Sequence, residues 1–299
     1  MTMIIFSFRS ALKYGFILEK SFQDSLKKEY RRYFSILGRG FIPGCICLVI
    51  ALSVLFLASC GGNSGGPREL KLSLILGDTS DWYRGAVRFA ELIEQRSGGA
   101  YRIKIYPHAQ LAGQVQRTEL EMVQSGVIDM SLESSILLSL IEKRMGVFSL
   151  PWLFDDYEEA NRVLDGPLGQ ELLDTLPEKG LVGLAYGANG FRQVTNSRNP
   201  IRTPGDIAAM KIRVPGIRMY IDIFKLLGAD PSSMNFGERG IVADGEPAIL
   251  DSLRAKGMEI DVPTAEAIRS FREMVEPVYA DYDRETGGGL VGRFREAAE

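Results

Sequence analysis

Most of the chain alternates between two hydrophobic periods. Leu70-Lys71-Leu72-Ser73-Leu74-Ile75-Leu76 is a short apolar-rich run that stops at Gly77-Asp78, which predicts a buried strand. Trp82, Ala86, Phe89 and Ile93 then recur at helical spacing, with Thr79 or Ser80 available as a cap and Ser97-Gly98-Gly99 as the stop. Tyr101 to Tyr106 reads as a second strand closed by Pro107. A helix carrying Val115, Met122 and Val123 ends at Gly126, and Ile128 to Leu132 returns as a strand. Strand, helix, strand, helix, strand predicts an α/β fold with a parallel sheet and helices on its faces.

The same reading continues downstream. Leu181 to Tyr186 and Phe191 to Thr195 are expected as strands flanking Gly187-Ala188-Asn189-Gly190. Lys211 to Val214 is a short strand that ends at Pro215-Gly216, and the helix after it uses Ile217, Tyr220, Phe224 and Leu227 before Gly228 stops it. Near the end, Ile268, Phe271, Val275, Val278 and Tyr282 form one apolar stripe, with Pro277 expected to bend or restart that helix.

Composition narrows the function. With 299 residues, 45% hydrophobic and 24% charged, the chain can bury a sizeable core, which excludes disorder. Charge is unevenly spread. Residues 1–59 carry eight Lys/Arg against Glu19, Asp24 and Glu29, so the remainder holds a net −8, and no concentrated basic patch there suits nucleic acid.

Phe41 to Ser59 is free of charge, follows the basic cluster and leads into Cys60-Gly61-Gly62, the order of a secretory signal. An uncleaved membrane anchor fits the run as well, since its length suffices to span a bilayer. Either reading places the body outside the cytoplasm. Gly61 to Gly66 would serve as a flexible tether.

Catalytic chemistry finds little support. His108 is the single histidine, and Cys45, Cys47 and Cys60 all lie in or beside the apolar run, so zinc sites rich in imidazole, Ser-His pairs and a disulfide framework are poorly served. Phosphate-loop, nucleophile-elbow and zinc-protease motifs are missing. Asp155-Asp156 and Glu158-Glu159 sit at an expected helix start, where carboxylates favour the dipole. His108, in the loop YPHAQLAG, reads as a surface residue.

Two arginines stand out. Arg213 lies on a short strand whose Ile212 and Val214 point the other way, near a strand end of the kind where open α/β sheets collect ligands. Arg192 follows the glycine-rich connection. Each suits either a structural ion pair or a grip on a carboxylate through parallel charge-assisted hydrogen bonds.

The series YPHAQLAG, QSGVIDM, FSLPWLFDDYEEA, GFRQVTNSRNPI, TPGDIAAMKIRVPG and LGADPSSMNFGE resembles the solute receptors of tripartite ATP-independent periplasmic (TRAP) transporters, of the dicarboxylate-binding DctP type. The likeness runs from about Leu70 to Glu238 and resumes from Asp244 to Ala298. The tetrapeptide Leu57-Ala58-Ser59-Cys60 likewise resembles a bacterial lipobox, implying cleavage before Cys60 and lipid attachment at its sulfur.

What this resemblance implies is a two-lobed clamshell, each lobe a sheet flanked by helices, that closes on a small organic acid and delivers it to membrane permease subunits without a cofactor. Arg213, of KIRVP, becomes the main carboxylate anchor, expected to be buried without a protein partner. Arg192, of GFR, becomes a second contact, Phe236 an aromatic of the pocket, and Ser134 and Gln116 further ligand positions. The expected organisation is a basic head and signal at 1–59, a tether at 60–69, a first lobe at 70–189, a partial second lobe at 190–238 and a helical segment across the lobes at 244–299.

The chain departs from that pattern between Glu238 and Asp244, where five residues, Arg239 to Ala243, stand in place of a longer segment. A shortened cleft wall predicts a weaker hold on the ligand. A membrane-tethered sensing or interaction module of the same fold is the alternative expectation, and an enzyme is not expected.

Overall fold

The computed structural model describes residues 2–7, 66–187, 189–233, 251 and 253–298. Cys60, Phe236, most of the basic head and the junction at 239–243 lie outside the described residues.

A mixed five-stranded sheet forms the larger part. Its strands are β1 (Thr2–Ser7), β2 (Arg68–Leu74), β3 (Tyr101–Tyr106), β4 (Met130–Ser134) and β5 (Leu181–Gly187), in the order β3-β2-β4-β1-β5. β2 pairs parallel with β3 and with β4, as the alternating pattern predicts. β1 is antiparallel to both β4 and β5. The sequence reading had assigned this segment to a leader, so a core strand here was not foreseen.

Helices cover both faces. On one, α1 (Asp81–Arg96) starts where Ser80 Oγ accepts the Tyr83 N–H, and it packs Trp82 and Ala86 against Leu70, Leu72, Leu74, Ile103, Met130, Leu132 and Val182. On the other, α2 (Gln116–Ser125) lays Leu120 and Val123 beside Met3 and Ile5 of β1. This second apolar cluster also takes in the short helix α3 (Ser135–Leu138) and the pair α4 (Tyr157–Leu164) and α5 (Pro167–Leu173). Gly183 of β5 sits so close to α5 that a Cβ there would lie 2.5 Å from Leu173 Cδ2.

A small parallel sheet pairs β6 (Lys211–Val214) with β7 (Asp230–Ser233), joined by α6 (Arg218–Leu226). Val214, Tyr220 and Ile223 from this unit join the same apolar cluster as Met3 and Ile5. The 22-residue helix α7 (Ala265–Thr286) contributes Phe271, Val275, Val278 and Tyr279 to it, and α8 (Leu290–Ala298) adds Leu290, Val291 and Phe294. α7 continues through Pro277 rather than ending there.

Phe191 to Thr195 is irregular rather than a strand. All but half-buried Phe191 are exposed, so the backbone can bond to water and needs no partner strand. β2 begins at Arg68 and β4 at Met130, each shifted about two residues from the sequence expectation.

Candidate functional site

Parallel strands place their carboxyl ends on one edge of the sheet, and that edge gathers several of the singled-out residues. β2 leads there into Gly77 and Ser80, β3 into His108, β4 into Ser134 and β5 into Asn189. The loop after β3 is tied to β2 by the His108 N–H on Leu76 O (3.1 Å) and the Ala109 N–H on Leu74 O (2.8 Å). His108, with φ 58°, packs its ring against Gly77, where a Cβ would meet the ring at 2.8 Å. Only glycine fits so near a ring.

Ser134 is half-buried at the end of β4 and caps α3, its Oγ accepting the Ile136 N–H at 3.3 Å. Its hydroxyl proton stays available for an acceptor. Gln116 is the first residue of α2 and half-buried. The residue before it, Val115, offers no side-chain cap, so nothing on that side chain competes with Gln116 for the helix start.

From the edge, the connection after β5 runs to the small sheet and is held at three points. The Trp82 indole N–H donates to Asn189 Oδ1 (3.1 Å), tying it to α1. The Phe191 ring lies 4.9 Å from that of Tyr157 on α4. The Arg192 guanidinium sits over the Tyr220 ring of α6 at 5.2 Å. Such a cation–π contact contributes about 0.5–1 kcal/mol at an exposed position and fixes the plane of the guanidinium.

Arg213 is on β6 opposite Ser232, and the strand alternates as expected, with Val214 buried and Arg213 exposed. The expectation of a buried guanidinium is therefore corrected. A four-residue strand paired on one side with β7 leaves its outer face in water, and long charged side chains take that face. Directly after β6 the chain turns at Pro215-Gly216 and enters α6 behind Ile217, which supplies no side-chain cap. The uncapped N–H groups of α6 thus lie a few residues beyond Arg213 and add positive potential of the same sign.

The structure therefore links Arg192 to the unit that carries Arg213, through Tyr220, and sets Ser134 on the carboxyl-end edge of the larger sheet. Phe236 lies outside the described residues. Sequence reasoning missed the Trp82–Asn189 and Arg192–Tyr220 contacts. Tyr220 was read only as part of an apolar stripe, and no local pattern reports a partner that far along the chain.

A separate depression is lined by Trp152, Asp155, Glu159, Arg272, Tyr279 and Arg295. Its arginines are already engaged, Arg272 with Asp155 at 3.0 Å and Arg295 with Glu276 at 3.4 Å. Among the described residues, no group of three or more His, Cys, Asp or Glu is placed to hold a metal ion.

Beneath that sheet edge, Glu119 of α2 and Glu133 of β4 are both completely buried. None of their four carboxyl oxygens makes a hydrogen bond of normal geometry, although Ser73, Ser131 and the opposite carboxyl are close enough to perturb them. Burial pushes Glu119 up to about 7, and burial with the Glu119 charge raises Glu133 well above the usual carboxylate range. Glu142 has the opposite environment. It is gripped by Arg144 Nε at 2.7 Å and Nη2 at 3.0 Å and is held below its ordinary value by that bond.

An α/β body whose larger sheet gathers the carboxyl ends of four strands on one edge is of the fold class seen in periplasmic solute-binding proteins. The particular family is shown by its sequence model, described as bacterial extracellular solute-binding protein, family 7 (DctP), which matches residues 72–240. The chain belongs to this family of solute-binding proteins, whose members are not enzymes.

It is 31% identical over 191 residues to the C4-dicarboxylate-binding protein DctB of Bacillus subtilis, covering 62% of this chain and 54% of that one. It is 35% identical over 188 residues to the 2,3-diketo-L-gulonate-binding periplasmic protein YiaO of Escherichia coli, covering 63% and 57%. The chain spans about half the length of the curated relatives it matches. A TRAP periplasmic solute-binding protein from Ralstonia eutropha, solved with bound (S)-2-acetolactate, matches the fold with a TM-score of 0.70 and 26% identity, covering 77% of this chain and 98% of that one.

Proposed function

We propose that this chain is the extracytoplasmic receptor of a TRAP-type transporter, capturing a small carboxylate and passing it to membrane permease subunits. The observation that carries this reading is the placement of two arginines on one unit, Arg213 on the exposed face of β6 and Arg192 seated on Tyr220 of α6. Both are exposed, and a guanidinium is a planar fork of donors matched to a carboxylate. The names of the relatives support the substrate class, since the molecules they are described as binding are C4-dicarboxylates, a diketo sugar acid and a hydroxy-keto acid.

In this reading the five-stranded sheet with its helices (70–189) and the small sheet (190–238) act as two lobes of a clamshell, with the helical segment 244–299 lying across both. The strap Asn189 to Arg192 is the crossing point. Ligand enters between the Ser134 edge and the arginines. Ser134 and Gln116 contact it from the first lobe, Phe236 lines the pocket, and Arg213 and Arg192 neutralise its charge from the second. Residues 1–59 export the chain, Cys60 carries the lipid, and residues 60–69 hold the receptor off the outer face of the cytoplasmic membrane.

Calorimetric titration with a panel of C4-dicarboxylates, sugar acids and 2-keto acids tests the proposal. Arg213→Met keeps the bulk and removes the charge. Each charge-assisted hydrogen bond contributes about 1.5–3 kcal/mol, so the variant is expected to lose about ten- to a hundredfold in affinity for the acid that binds. Equal affinity in the two proteins would refute Arg213 as the anchor.

A further inference from the structure

The five-stranded sheet is completed by a strand that comes from far away in sequence. β1 occupies a slot between β4 and β5, with Thr2 to Phe6 paired to Ser134 to Met130 on one side and Thr2 to Ser7 paired to Gly187 to Leu181 on the other. Residues 8–65 separate it from the rest of the described sheet. Within the sheet the strand is held by its own pairing and packing, much as a ligand is.

The slot has definite chemistry. Met3 and Ile5 are fully buried in the cluster beneath α2, while Ile4 packs into the opposite cluster beneath α1. Both parities of the strand must therefore be apolar, which Met3-Ile4-Ile5 satisfies. Register is fixed by an irregularity in β5, where Ile4 faces Ala185 and Ile5 faces Gly183, leaving Leu184 as the extra residue. An occupant consequently needs an antiparallel direction, consecutive apolar residues and one register.

We propose that the slot between β4 and β5 is a strand-binding site for an extended apolar peptide, and that its ligand is the β1 segment, accepted from a second copy of the chain as well as from the same copy. The exchange replaces one set of β1 pairings by an identical set, so it costs no native contact. Fully extended, a 58-residue connection reaches about 190 Å, which is ample for a neighbouring copy. If the leader is removed before Cys60, as proposed above, the slot loses its tethered occupant while keeping its two bonding edges.

Two full-length measurements test this. In chains whose three native cysteines are replaced by serine, Thr2→Cys and Ser134→Cys are made separately, mixed, passed through partial unfolding and refolding, and oxidised. The expected result is a disulfide between positions 2 and 134 joining two copies, identified by peptide mass. A 2–134 link formed only when both substitutions are in one chain would overturn acceptance in trans, and no link in either arrangement would overturn the site itself.

The second measurement uses Ile5→Asp, which disables the tethered strand. A synthetic peptide of residues 2–7 with a solubilising lysine tail is expected to raise that variant's melting temperature saturably, and the same peptide carrying the aspartate is expected not to. Equal effects of the two peptides, or an Ile5→Asp chain that melts like its parent, would refute the proposal. Should Ile5→Asp fail to fold, the cross-linking result decides alone.

Discussion

Replacing Glu119 by glutamine should flatten the dependence of stability on pH between about 5 and 8. In the parent protein Glu119 and Glu133 are sealed between α2 and β4, with Met3 of β1 opposite Glu133 and Ile5 opposite Ser131. Burial lifts Glu119 from an ordinary 4.5 to about 7, so the folded state holds its proton over a range where the unfolded chain has released it. The stability linked to that proton is whole below 4.5 and is lost as pH climbs through the folded value. From 4.5 to about 7 the loss amounts to about 3 kcal/mol, and Glu133, also raised, adds a loss of the same sign.

The carboxylates held low act in the other direction and elsewhere. Glu142, paired with Arg144, contributes stability above the ordinary carboxylate range that is lost only as pH falls beneath it. Urea unfolding at pH 5, 6, 7 and 8, read as midpoint and slope, separates the two windows. The parent should weaken across the series and Glu119→Gln should weaken less, the remaining decline coming from Glu133, which burial still holds raised. Stability that rises from pH 5 to 8, or a glutamine variant with the parent's full decline, would show that the pair is not buried as described.

Other expectations follow from packing. Ile5→Ala removes a fully buried side chain between two sheet neighbours and should cost about 2–5 kcal/mol in urea unfolding. Gly183→Ala drives a methyl into Leu173 and Leu176, and about 1–3 kcal/mol of destabilisation is expected, measurable as a lower melting temperature. Tyr220→Leu keeps the apolar bulk but removes the ring under Arg192. It should change the free energy of unfolding by no more than about 0.5–1 kcal/mol while weakening carboxylate binding in the calorimetric panel.

The legible parts of the fold were those governed by local chemistry. Ser80 caps α1 and Asp156 caps α4, and both follow from residue type beside an apolar stripe. The parallel pairing of β2, β3 and β4 follows from the strand and helix order. β1 was not legible, because Met3-Ile4-Ile5-Phe6 is as apolar as a leader and its partners, Ser131 to Ser134 and Leu181 to Gly187, lie more than a hundred residues away. The strand expected at 191–195 failed for the converse reason. β propensity was present, yet the segment is spent on reaching α1, α4 and α6 through Asn189, Phe191 and Arg192.

The site divided along the same line. Arg213 was placed on the outward face of its strand by simple alternation, and the structure has it there. Its burial was inferred from a closed pocket and not from the strand itself, and the strand leaves it in water. The buried Glu119–Glu133 pair gave no signal, since a glutamate in a polar helix start looks like any solvated carboxylate until β4 is laid against it.

The position of β1 also bears on timing. Its neighbours are synthesised roughly 130 and 180 residues after it, so the gap between β4 and β5 cannot close until β5 has left the ribosome. Contacts so distant along the polymer form slowly, because the intervening loop must be closed before any pairing is gained. Until β1 is in place, β5 has no strand joining it to β4.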